Sequence, residues 1–111
     1  MIQIHEYTDT NGRSPFADWF NDLDASVAAK IATTIIRLEQ GNFSNAKGVG
    51  AGVSEFRIDS GPGYRIYFGK DGERLVILLA GGTKKRQQQD IENAQSRWAD
   101  YKQRKRHRGD K

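Results

Sequence analysis

The sequence predicts an α+β protein. It is one compact domain with a mainly antiparallel sheet (a short N-terminal strand plus a three-strand meander), a two-helix N-terminal hairpin and a C-terminal helix. Three observations predict this class. Residues 53–86, VSEFRIDSGPGYRIYFGKDGERLVILLAGGTKKR, read as three consecutive strands joined by two glycine-containing turns. Residues 14–41 carry two apolar stripes at helical spacing. The chain has 111 residues, enough for one modest core.

The elements follow in chain order. Ile2, Ile4 and Tyr7 predict a short strand, ended by the polar run 8–13. Ser14-Pro15 starts a helix, with a side-chain oxygen at the cap and proline at the first helical position. Phe16, Trp19, Phe20 and Leu23 form its apolar stripe. Asp24 caps a second helix, whose stripe is Val27, Ile31, Ile35 and Leu38 and whose end is Gly41. Residues 42–52, NFSNAKGVGAG, read as a glycine-rich loop. Gly61-Pro62-Gly63 and Lys70-Asp71-Gly72 supply the two turns of the meander. The apolar run 75–80 predicts a strand buried on both faces, broken by Gly81-Gly82. A last helix from about Thr83 places Ile91, Ala94, Trp98 and Tyr101 on one face. Beyond Tyr101 the chain either extends this helix or frays. The chain therefore divides into a domain, 1–101, and a basic tail, 102–111.

Strand parity sorts the meander into two faces. Glu55, Arg57 and Asp59 share one face of their strand, and Arg65 and Tyr67 share one face of the next. A three-residue loop at 61–63 pairs Asp59 with Arg65 and Arg57 with Tyr67, which keeps polar opposite polar. The expectation is a polar face carrying Glu55, Arg57, Asp59, Arg65 and Tyr67. The opposite face, with Phe56, Ile58, Tyr64, Ile66 and Phe68, takes the helices.

The net charge is +4, and its location matters more than its size. Residues 102–111 contribute +5, so the other 101 residues sum to −1. Within the body, residues 1–24 hold five acids and one base, while 47–86 hold eight bases and four acids. A polarised body with a basic tail fits an anionic partner; the alternative is a tail that only aids solubility. The absence of cysteine excludes disulfides, thiolate metal sites and a cysteine nucleophile. No apolar run approaches a membrane span, and the N-terminal residues lack a secretory pattern, so a cytoplasmic protein without a membrane partner is expected. His5 and His107 stand at opposite ends of the sequence with no metal-ligand spacing, and no cofactor is expected.

Fixed arginines on a sheet suit a phosphodiester, because a guanidinium forks onto phosphate and keeps its charge. RNA cleavage by the 2′-hydroxyl needs a polarised phosphate, a proton acceptor and a proton donor. Arg57 and Arg65 suit the first task and Glu55 the second. Tyr67 or Lys84 suits the third, if neighbouring positive charge lowers its pKa. The structural alternatives are cross-strand ion pairs, Arg65 with Asp59 or Arg57 with Glu55, and Tyr67 as a packing residue. Lys84, Lys85 and Arg86 oppose the dipole of the helix they precede, which favours a functional reading. Gln87-Gln88-Gln89 reads as a solvated helix face.

The element order, with EFRIDSGPGYRIYF and LLAGGTKKRQQQDIENAQSRWADY, resembles the RelE/ParE toxin superfamily, in its HigB-like, phage-derived addiction-module killer branch. The resemblance spans residues 2–101 and rests on a combination: an E-[FL]-R strand, a G-P-G-Y-R hairpin, L-x-G-G-x-K-K, and D-I-x-x-A on the last helix. It implies the toxin of a type II toxin–antitoxin pair. RelE-like members cut messenger RNA in the A site of the small ribosomal subunit without metal, inhibiting translation. Arg65 matches the family's phosphate-contacting arginine, Arg57 a basic strand position used in cleavage, and Lys84 or Lys85 the basic loop that assists the leaving group. Lys47, Arg86, Arg104 and Arg106 then fall to RNA binding. The sequence departs at Glu55, where RelE has lysine, and at Asp90-Ile91, where RelE has a tyrosine after its basic loop. The implied partner is a small helix-turn-helix antitoxin, through which the toxin meets operator DNA only indirectly. Two other readings stand beside this one: a ParE-like, non-enzymatic gyrase poison, and an inactive relic or binding module.

Overall fold

The computed structural model describes residues 1–109. Its elements are β1 (Gln3–Glu6), α1 (Pro15–Asn21), α2 (Ala25–Glu39), β2 (Ala46–Gly50), β3 (Val53–Ile58), β4 (Tyr64–Lys70), β5 (Leu75–Thr83), a single 3-10 turn (Lys84–Arg86) and α3 (Gln87–Gly109). The α+β class holds. Five strands form one sheet in the order β1-β5-β4-β3-β2, antiparallel except for the β1–β5 pair.

The local signals explain the helices. The Ser14 hydroxyl accepts the Ala17 amide at 3.0 Å, and Pro15 opens α1. Asp24 stands at the cap of α2, but its carboxylate accepts the Ser26 hydroxyl at 2.9 Å instead of a backbone amide. Gly41, at φ 81°, takes the chain out of α2. Ile31 and Leu38 are fully buried and form a core with Phe16, Phe56, Ile66, Phe68, Val76 and Leu78. This is the helix-bearing face predicted from parity.

The opposite face is where the prediction needs correcting. It is not open: α3 crosses it, and Ala94 and Trp98 pack on Val53, Tyr67, Ile77 and Leu79. Glycines make the approach possible. A Cβ at Gly69 would meet Trp98 Cε3 at 2.5 Å. The sheet therefore has helices on both sides, which places Glu55, Arg65 and Tyr67 in the interior.

Three further expectations are corrected. The stretch 42–52 contains β2, which pairs antiparallel with β3; its glycines and a bulge between Gly48 and Gly50 hide the alternation that marks a strand. Gly81-Gly82 does not break β5, which runs on to Thr83; instead each glycine admits a side chain, Trp19 on one face and Asp90 on the other. The β3–β4 register is shifted by two: Arg57 faces Arg65 and Glu55 faces Tyr67, around the loop 59–63. A shift of two leaves every side chain on its predicted face, because the pleat repeats every two residues.

α3 continues past Tyr101, so the basic segment through Gly109 is helical; Asp110 and Lys111 lie outside the described residues. Its far half is tied to the body. Tyr7 donates to Asp100 at 2.7 Å, Arg104 pairs with Asp100 at 2.6 Å and donates to the Thr8 carbonyl at 2.5 Å, and Tyr101 donates to Asp71 at 2.6 Å. Among the described residues no helix is long and apolar enough to cross a membrane.

Candidate nucleic-acid site

Cross-strand pairing lays the polar residues of the α3-bearing face in two rows. One runs Lys47–Glu55–Tyr67–Ala80 across β2, β3, β4 and β5. The other runs Arg57–Arg65–Gly82. The first turn of α3 roofs them: the Gln87 side chain donates to Glu55 Oε1 at 3.2 Å, and the Asp90 carboxylate lies against Gly82. Of the three glutamines expected on a solvated helix face, Gln88 and Gln89 are exposed, while Gln87 is half-buried by this contact. Its partner is invisible in sequence because the two residues lie 32 positions apart.

The predicted ion pairs are replaced by another. Arg65 Nε lies 3.4 Å from Glu55 Oε1, diagonally across β3 and β4, and the residues are 5% and 1% exposed. A buried pair of this kind stands only because each charge answers the other. Neither of the anticipated pairs, Arg65 with Asp59 or Arg57 with Glu55, is present. Arg57 is exposed, directly opposite Arg65, and has no acid within ion-pair distance among the described residues. Like charges facing each other across two strands are unfavourable without an anion between or beside them.

The basic loop adjoins this row. The Lys84 amide donates to the Gly63 carbonyl at 3.0 Å. A Cβ at Gly63 would lie 3.8 Å from the Lys84 Cβ and 3.9 Å from Arg65 Nη1, so Lys84 and Arg65 both border the 59–63 loop at Gly63. Lys47, Lys84, Lys85 and Arg86 are exposed.

Residues 18–99 match the family described as Phage derived protein Gp49-like (DUF891). The chain belongs to this family. It is also 45% identical, over 80 residues, to an uncharacterized protein of Haemophilus influenzae, covering 71% of this chain and 81% of that protein. The Gp49-like family is a phage-derived, toxin-like addiction-module family related to RelE and ParE, and a family of this kind implies an antitoxin partner.

In this Gp49-like chain the other candidate residues divide by environment. Tyr67 is fully buried, its hydroxyl has no hydrogen-bond partner, and its pKa is pushed up to about 12 by burial and by the charges of Glu55 and Asp90, against the opposing effect of Arg65. That is the reverse of the lowering a proton donor needs. Asp90 is half-buried, and desolvation raises its carboxyl above the usual range, opposed by Arg86 and Arg97. Arg97 itself donates to the Leu79 carbonyl at 3.0 Å, where β5 carries an extra residue opposite Tyr67-Phe68. Arg104 is engaged with Asp100, Thr8 and the Tyr7 ring, toward the other end of α3 from the turn that roofs the arginine row, while Arg106 is exposed. His5 and His107, distant in sequence, line one cleft beside β1, and no group of potential metal ligands occurs among the described residues.

Proposed function

We propose that this chain is the toxin of a type II toxin–antitoxin pair, of the HigB-like branch, and acts in the cytoplasm as a metal-independent endoribonuclease on ribosome-bound messenger RNA. The observation that carries the reading is Arg57: an exposed guanidinium without an acidic partner among the described residues, facing the buried guanidinium of Arg65, beside which Lys84 is anchored to the 59–63 loop. That arrangement leaves positive potential where an anion is missing.

The chemistry assigns the residues as follows. Arg57 and the loop lysines hold the scissile phosphate, while Arg65, fixed by Glu55, supplies charge from beneath. The 2′-oxygen attacks phosphorus and loses its proton to a carboxylate. The bond from phosphorus to the 5′-oxygen breaks, and that oxygen takes a proton from Lys84 or Lys85. The products are a 2′,3′-cyclic phosphate and a 5′-hydroxyl. Asp90 suits the acceptor role better than Glu55, because Glu55 is buried and committed to Arg65 and Gln87. Asp90 keeps a raised pKa beside Arg65's partner Gly82.

The test is induction of the protein in bacteria with RNA 5′ ends mapped beside plasmid supercoiling. Codon-phased cuts in messenger RNA, abolished by Arg57→Ala in a protein that still folds and binds its antitoxin, are the expected result. DNA breaks with intact messenger RNA would replace this reading with gyrase poisoning, and a harmless wild-type chain would replace it with a relic.

A further inference from the structure

A second cationic cleft lies at the other end of α3. It is an open cleft of about 550 Å³, walled by Lys70, Asp71, Trp98, Lys102, Lys105 and Arg106 together with Tyr101. Its single acid is already satisfied: Asp71 accepts from Lys105 at 2.5 Å and from the Tyr101 hydroxyl at 2.6 Å. The remaining cations are held differently. The Lys70 ammonium lies 4.4 Å over the Phe43 ring, and that of Lys102 lies 5.7 Å over Trp98. A ring positions an ammonium without neutralising it. Arg106 is exposed and, among the described residues, has no acid within ion-pair distance.

A merely solvated helix face looks different, and α3 provides the comparison. One turn away, Arg104 pairs with Asp100 in an i,i+4 bridge. Lys102 and Arg106 are instead like charges at i,i+4, an arrangement that weakens a helix unless an anion answers both. Lys70 stands at the rim, at the end of β4, with its ammonium over Phe43 outside the lining, and the Lys105–Asp71–Tyr101 clasp holds this end of the sheet to the helix that carries Lys102 and Arg106.

We propose that this cleft is a second RNA-backbone site, using Lys70, Lys102 and Arg106 to hold phosphates of the strand whose scissile phosphate lies at Arg57. The choice of RNA over another polyanion rests on the function proposed above. α3 carries Gln87 at the arginine row and Arg106 in the cleft, roughly 28 Å apart along the helix axis. A single rigid helix thus fixes the spacing of two cationic sites, which suits one extended polyanion.

The experiment uses the full chain and non-cleavable 2′-O-methyl RNA of two lengths, about four and about 12 nucleotides. The variant is Lys70→Gln/Lys102→Gln/Arg106→Gln, which leaves the Lys105–Asp71 clasp intact, with far-UV circular dichroism and thermal midpoint checking the fold. For the longer RNA, the expected result is a salt dependence shallower by about 2 in log K against log salt, since each single-strand phosphate contact contributes ~0.7. Affinity at 0.1 M salt is expected to weaken roughly tenfold or more. The shorter RNA, which spans only one site, is expected to bind as it does to wild type. An unchanged salt slope for the longer RNA overturns the proposal. So does an equal loss for both lengths, which would mean a diffuse field and no discrete site. Binding does not require cleavage, so a wild-type chain that fails to cut RNA counts against the proposed function and leaves this measurement standing.

Discussion

Glu55 and Arg65 meet inside the protein, Oε1 to Nε at 3.4 Å, beneath a glutamine from the first turn of α3. The pair links β3, β4 and α3, and it decides a question that the residue types leave open, since Glu55 serves Arg65 and not Arg57. Removing one partner strands the other charge in the interior. Glu55→Gln is expected to lower unfolding free energy by about 3 kcal/mol in urea titration. The double change Glu55→Gln/Arg65→Met is expected to recover most of that loss. Arg65 Nε makes no hydrogen bond, so the pair acts through charge alone, and a single variant as stable as wild type would show that this charge contact contributes nothing.

Tyr67 tests the distinction between lining the site and acting in it. Its hydroxyl is buried without a partner, and its pKa stands near 12. Tyr67→Phe removes an unsatisfied polar atom and no hydrogen bond, so stability is expected to stay within about 1 kcal/mol of wild type or to rise. RNA cleavage by this variant is expected to keep the wild-type rate and pH profile. A hundredfold loss of rate in a folded variant would restore Tyr67 as a proton donor.

Gly82 is the floor on which Asp90 rests. Gly82→Ala drives a Cβ into that carboxylate, with an expected destabilisation of about 1–3 kcal/mol. In an Asp90→Ala background the same change is expected to have a much smaller effect, because the obstructing group is gone. Equal effects in both backgrounds, measured by thermal unfolding, would show that the clash lies elsewhere.

Acid should release the far half of α3 before the core unfolds. Asp71 is held below the usual carboxylate range by hydrogen bonds from Lys105 and Tyr101, and Asp100 by those from Tyr7 and Arg104. A depressed folded pKa means that the stabilisation is complete above the unfolded value of about 3.9 and fades as pH falls through the lower, folded value. Protection factors against hydrogen exchange in residues 98–107, taken relative to the intrinsic rate at each pH, are therefore expected to fall below about pH 4, ahead of those in β4 and β5. In Asp71→Asn/Asp100→Asn the same segment is expected to exchange fast already at neutral pH. Wild-type protection that is flat across this range would remove the two carboxylates as the fastening.

Much of this was legible in the chain. The stripe from Val27 to Leu38, the Ser14 cap and the apolar β5 run each report a local periodicity, and local periodicity survives in any context that buries one face. Parity placed Arg57, Arg65, Glu55 and Tyr67 together, and they are together. The register escaped, because a shift of two residues leaves the parity of every position unchanged; the length of the loop 59–63 decides it. β2 escaped because three of the five residues in the stretch 48–52 are glycines, two of them inside the strand, and glycine carries no pattern.

The residue types by themselves settle the fold class and which strand positions share the arginine-bearing face of the sheet, since both depend on spacing along the chain. They do not settle which cations are free. That depends on α3 lying across the arginine face, where Gln87, Asp90 and Trp98 bury Glu55, Arg65 and Tyr67 and leave Arg57 and the 84–86 loop at the surface. The physical reason is desolvation: the same guanidinium is a structural ion-pair partner when it is enclosed with a carboxylate and a phosphate ligand when it is open to water. Only packing between elements distant in sequence distinguishes the two.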